Sequence, residues 1–178
     1  MTRRLSRFWR DRRGVSAVEF ALILPVLLLF YFGMAEFTEA MLAERRLSHL
    51  TSAVGDVVAR QRTLNDAGLG EVLTAGEVMM APFPVSTLRI CIVSVVSNAQ
   101  GRDTVAWSEQ KNAPANCPAA NAVVDIPPAV LPAGQSVIMS KASYDYQSMF
   151  KMVLPNTITF RRTFYLRPRL SDEVARVR

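Results

Sequence analysis

A single histidine and two cysteines are all that this chain offers of the side chains that most often build metal sites. His49 alone cannot make a histidine-based centre, and Cys91 and Cys117 cannot complete a four-ligand zinc site without other donors. No G-x-S-x-G elbow, phosphate-binding loop or dinucleotide fingerprint occurs, and there are no repeats or low-complexity tracts. The cluster Tyr144, Asp145, Tyr146 reads more simply as strand-edge packing than as a site, and Arg161 and Arg162 as solvent-facing strand positions. A catalytic reading has nothing to stand on. The expectation is a chain that is not an enzyme and has no metal, no cofactor and no small-molecule substrate.

Net positive charge is also missing from most of the chain. The formal net charge is +6, but Arg3, Arg4, Arg7, Arg10, Arg12 and Arg13 against Asp11 place five of those charges in the first 13 residues. What remains is nearly balanced, so the basicity is no nucleic-acid footprint and no nucleic-acid partner is expected. Directly after this leader, residues 15–34 form an apolar run with Glu19 as its only charge. Twenty such residues suffice to cross a hydrocarbon core of about 30 Å. A carboxylate inside the run is costly, which makes Glu19 a functional residue by default. Arginines beside a span mark the end that stays in the cytoplasm, so the residues after Met34 are expected across the membrane.

The two cysteines fit that topology. Cys91 and Cys117 would lie on the translocated side, where an oxidising compartment lets thiols pair. Closing a loop of that size contributes roughly 3 kcal/mol in the loop-entropy model. The alternative is two unpaired thiols, one of them in a strand.

Along the chain, residues 1–13 read as a disordered or helical stretch at the membrane surface, with Phe8 and Trp9 as interfacial residues. Pro25 lies within the span, where it removes a backbone hydrogen bond; it is either a tolerated irregularity or a weak point that lets the helix bend. Beyond the span the helical pattern continues. Ala40, Ala43, Leu47, Leu50, Val54 and Val57 mark an apolar stripe, while Arg45, Ser48, Ser52, Asp56 and Arg60 occupy another face. His49 falls beside the stripe as a helix-face residue. The sequence Asn65-Asp-Ala-Gly68 supplies a stop, so a helix from Val15 to about Arg62 would measure on the order of 70 Å. A brief second helix is expected over residues 69–78. Strands are expected over 88–97, 104–110, 136–146 and 157–166, with Ile158, Phe160, Arg162 and Phe164 sharing one face of the last. The polar loop 111–121 carries Cys117. This is an α+β arrangement with a meander-like sheet against the amphipathic half of the long helix.

The segment Arg12-Arg13-Gly14-Val-Ser-Ala-Val-Glu19-Phe20-Ala-Leu-Ile-Leu-Pro25 resembles the N-terminus of TadE-like pseudopilins of the tight-adherence (Tad, Flp-type) pilus system. Gly134-Gln-Ser-Val, Tyr144-Asp-Tyr146 and Arg167-Pro-Arg169 resemble that family in patches. The resemblance implies a pilin-like fold, with a long N-terminal helix packed on a small antiparallel β-sheet. It implies that a prepilin peptidase cuts after Gly14 and leaves Val15 as the new N-terminus. Glu19, followed by Phe20, would then pair with the free amine of a neighbouring subunit during assembly. The implied partners are the inner membrane, the peptidase, other Tad pilins or pseudopilins, and platform proteins of the assembly machinery.

The expected organisation is a leader at 1–14, a transmembrane helix half at 15–35, an amphipathic periplasmic half at 36–66 and a β-rich periplasmic head at 67–178. The chain is longer than major Flp pilins, which favours a minor component, TadE-like or TadF-like; the longer TadG proteins fit less well. Two alternatives stay open. One is an uncleaved single-span periplasmic scaffold or binding protein. The other is an exported soluble protein, because Gly33-Met34-Ala35 satisfies the small-x-small pattern of ordinary signal peptidase before Glu36.

Overall fold

The structure is a computed structural model that describes residues 14–114 and 116–177. The basic leader, with Phe8 and Trp9, lies outside the described residues. The chain divides into two compact units, one comprising the residues up to Glu39 with Gln147–Asn156, the other Ala40–Tyr146 with Thr157–Arg178.

Helix α1 runs unbroken over Val15–Ala59, with Pro25 inside it. It is long and apolar enough to cross a membrane, and its apolar window is exposed throughout. Among the described residues of the first unit, this helix is accompanied by the Gln147–Asn156 segment.

In the second unit the remainder of α1 packs on a sheet. Ala40, Ala43, Leu47, Leu50 and Val54 are buried as the stripe requires. The next large apolar side chain of the stripe to be buried is Val58 rather than Val57, which is 44% exposed. A step of four from Val54 stays over the sheet, whereas a step of three turns the side chain outward. The approach is close at Gly55. A Cβ there would stand 2.5 Å from Leu166 Cδ1 and 3.0 Å from Ser140 Cβ, so only glycine lets the helix backbone sit this near the strands.

The helix ends earlier than the sequence pattern implies. Gln61 N–H donates to the Val58 carbonyl at 3.0 Å, and the Ala59 carbonyl accepts from Arg169 N–H at 2.9 Å, which satisfies the helix end. Strand β1 (Thr63–Asn65) follows, then α2 (Asp66–Met79). The Asn65-Asp66-Ala67-Gly68 motif therefore starts a helix rather than stopping one. The Asn65 side chain accepts the Gly68 N–H at 2.8 Å, as an N-cap does.

The main sheet comprises β2 (Leu88–Ser97), β3 (Asp103–Lys111), β4 (Val123–Val124), β5 (Ser136–Tyr146) and β6 (Ile158–Leu166), ordered β4-β3-β2-β5-β6. This is not the simple meander suggested by chain order. Both β3 and β5 pair antiparallel with β2, on opposite sides of it, so β3 and β5 are parallel to each other. Residues 112–135 must therefore cross over β2, and a crossover covers the face it traverses. The consequence is a central strand buried on both faces. Leu88, Ile90 and Ile92 lie on one, while Cys91, Val93 and Val95 join Val105, Ile126, Leu131, Val137 and Met139 in a cluster on the other.

The C-terminal residues close the unit. Strand β7 (Ala175–Val177) pairs parallel with β1. Trp107 Nε1 donates to the Val174 carbonyl at 2.7 Å, and Arg176 reaches both Asp66 and Glu109 at 2.7 Å.

Candidate functional site

Three places draw attention, and the first is the start of α1. Gly14 immediately precedes the helix, is exposed, and has nothing within 4 Å of the position a Cβ would occupy. Val15 is the first helical residue. Glu19 and Phe20 also lie on exposed helix surface, Phe20 at 59%. Val15, Glu19 and Phe20 thus sit on the first turn and a half of a helix, directly after Gly14, and Glu19 is the only charge on that helix over residues 15–34. Chemically the arrangement has a single resource, a carboxylate on an apolar cylinder.

The second place was not singled out from the sequence. Glu36 is fully buried although it belongs to an otherwise largely exposed stretch of helix. Its carboxylate accepts three consecutive backbone N–H groups, from Met152 at 2.7 Å, Val153 at 3.0 Å and Leu154 at 2.7 Å. The Gln147–Asn156 segment turns to deliver those donors, with Lys151 in the left-handed region at φ 54°. Its apolar side chains meet the helix one turn earlier. The Phe150 ring lies 5.2 Å from that of Phe32, and a Cβ on Gly33 would stand 3.2 Å from Val153 Cγ2. One carboxylate bonded by three amides, with two apolar contacts beside it, fastens the segment to the helix.

The third place is the covered face of the sheet. Cys91 and Cys117 form a disulfide with Cα atoms 5.7 Å apart. The bond joins β2 to the crossover. Beyond the disulfide, the same face opens into a groove of about 460 Å³ lined by Arg89, Lys141, Asp145, Thr159 and Arg161 together with Pro114 and Asn116 of the crossover. Its carboxylate is already engaged. The Asp145 carboxylate accepts from Arg89 at 2.8 Å and from the Thr159 hydroxyl at 2.7 Å, and these bonds hold it below the usual carboxylate range. Tyr144 and Tyr146, flanking Asp145, are buried on the opposite face with Phe83 beside both rings. Arg162 is not simply solvent-facing; it points to the helix side and pairs with Glu44. His49 is exposed on α1. Among the described residues no group of three His, Cys, Asp or Glu side chains is placed to hold a metal ion.

The candidate residues are therefore not one constellation. Gly14, Val15, Glu19 and Phe20 belong to the first unit, Cys91 and Cys117 to the second.

The family model described as TadE-like protein matches residues 14–56. The matched stretch begins at Gly14 and covers all but the last turn of α1. Comparison with curated proteins and with solved structures gave no match.

Proposed function

We propose, from the TadE-like pattern of residues 14–56, that this chain is a minor pseudopilin or assembly component of a Tad (Flp-type) pilus. Residues 15–35 anchor it in the inner membrane, with the leader cytoplasmic. The amphipathic part of α1 and the β-rich head, to residue 178, are periplasmic. A prepilin peptidase removes residues 1–14, and Glu19 then binds the freed amine of a neighbouring pilin or pseudopilin as the subunit docks on the assembly platform. Its role is structural rather than enzymatic.

One observation carries this reading. The family pattern coincides with a continuous exposed apolar helix whose first residue, Val15, directly follows the glycine at which the cut would fall. A peptidase needs sterically open backbone before the scissile bond, and Gly14 has nothing within 4 Å of where a Cβ would stand. The disulfide supports a periplasmic head, since such bonds persist in oxidising compartments. A cut before Glu36 fits poorly. It would discard Phe32 and Gly33, the residues on which Phe150 and Val153 rest.

The intact mass of membrane-extracted protein tests the proposal. A chain beginning at Val15 is expected, and Gly14→Leu should accumulate at precursor mass. A mature protein beginning at Met1 or at Glu36 would refute processing at this site.

A further inference from the structure

We infer that the Gln147–Asn156 segment is a second membrane contact, a loop that rests in the outer interface of the bilayer beside the helix it is fastened to. This rests on the reading of α1 as a membrane anchor. If residues 15–34 fill a hydrocarbon core of about 30 Å at 1.5 Å per residue, Phe32 and Gly33 lie within about 3 Å of its outer edge. Phe150 packs on Phe32 and Val153 on Gly33, so both share that depth. The Glu36 bonds to residues 152–154 set the loop's other side about one helical turn further out.

The exposed surface of the segment matches that position. Met149 is 81% exposed, Met152 52%, Val153 47% and Phe150 45%, which is an unusual concentration of bare apolar side chains for a ten-residue connection. Lys151 is its only charged residue and is exposed, and a lysine on a long stem reaches phosphate headgroups while its neighbours stay in the acyl region. Tyr31, 67% exposed and edge-on to Phe32, adds an aromatic residue of the type that favours the interface. The occupant is thus the lipid surface. Glu36 is the clasp that holds the loop at the right level, since a loop free of the helix would not stay at a fixed depth.

The test uses the full-length protein in vesicles of phosphatidylethanolamine and phosphatidylglycerol, with the native disulfide left oxidised. Single variants Met149→Cys, Leu24→Cys and Gln100→Cys each carry one small environment-sensitive fluorophore. The expected result is that the label at 149 is quenched by lipids bearing a nitroxide near the headgroup, and several-fold less by aqueous iodide than the label at 100. Quenching at 149 by iodide but not by lipid, with the label at 24 quenched by lipid nitroxide deep in the chain, overturns the loop contact and leaves the anchor standing. Failure of lipid quenching at 24 overturns the anchor itself. Shielding at 149 from both quenchers, with cross-linking between copies, would assign the loop to a second subunit and also overturn the inference. Adding Glu36→Ala to Met149→Cys should raise iodide quenching towards the level at 100; no change would refute the clasp.

Discussion

Reducing the Cys91–Cys117 bond should loosen the head selectively. The two residues are 26 positions apart, and in the loop-entropy model a closed loop of this size stabilises the folded state by about 3 to 4 kcal/mol. For a chain of this length each kcal/mol moves the midpoint by about 2–4 °C, so reduction should lower Tm by roughly 10 °C. The structure also says where the loss falls. The bond pins the crossover, residues 112–135, over Val93, Val95, Val137 and Met139, and Ile126 and Leu131 of that crossover complete the cluster. Reduction keeps both sulfurs in place, so it removes the constraint without deleting side-chain volume. The assay is a thermal melt of the detergent-solubilised chain refolded with and without reductant, followed by amide hydrogen exchange. Protection should fall over residues 112–135 and much less over α2, which lies outside this cluster. Melts agreeing within about 3 °C, against the expected span, or exchange rising equally over α2, would show that packing alone holds the crossover.

Other perturbations separate the remaining parts of the argument. Glu19→Ala is expected to be processed normally, with a Val15 N-terminus, yet to abolish pilus assembly; normal piliation would rule out a pairing role. Gly55→Val should destabilise the head by about 1–3 kcal/mol in a denaturant melt. The near contact with Ser140 Cβ cannot swing aside, and the gain in helix propensity over glycine is smaller, under about 1 kcal/mol. An unchanged midpoint would mean that the helix has room to lift from β5 and β6. The depressed Asp145 titration predicts a pH effect of definite sign. Stability from the Arg89 and Thr159 bonds is present above the ordinary aspartate value and lost as pH falls through the lower folded value. Tm plotted against pH should thus have a shallower acid limb in Asp145→Asn than in the parent, and coincident limbs would dismiss the linkage.

Much of the fold was legible because the signals were local. The β-branched run of residues 88–97 and the alternation of 136–146 each lie within one strand, and the observed limits coincide with them. The apolar stripe of α1 was readable until Val57, where periodicity leaves a choice that only the position of the sheet resolves. Strand order was not legible, since nothing near residue 112 states that the chain, after the short pairing of β4 with β3, will cross β2 to its far side. The Asn65 motif was read in the wrong sense because such residues end one helix and begin another alike, and the side-chain bond to Gly68 decides between them. Short pieces such as β1 and β7 owe their existence to each other across 112 positions, a pairing no window of sequence contains. Glu36 was overlooked for the same reason. Its partners are backbone amides more than 110 residues away. A faint signal was available in the run Met149-Phe-Lys-Met-Val-Leu154, too apolar for an ordinary connection and without a strand to explain it.

The contrast between Glu19 and Glu36, two carboxylates of the first unit, bears on the proposed assembly. Both stand on α1, at Glu19 and Glu36, and an ionised carboxylate removed from water needs donors close by. Glu36 finds three within its own chain, and its oxygens are taken by Met152, Val153 and Leu154. It is thereby committed to holding the loop and has little left to offer a neighbour. Glu19 stands exposed on an apolar surface, four positions after Val15. In a bilayer, water cannot supply its donor at that depth, and apart from the single hydroxyl of Ser16, three positions earlier, its own helix presents apolar side chains around it. A partner from another molecule resolves the deficit, and a second copy or a related subunit cut at the same position would bring a new amine to the start of its own helix. If the chain is cut and assembled as proposed, the requirement is for lateral association, and it would apply only once the leader has gone. On this argument Glu36 serves the chain's own architecture and Glu19 would serve the assembly, and exchanging their roles is not open to the chain because, of the two, only Glu36 has a loop to close on.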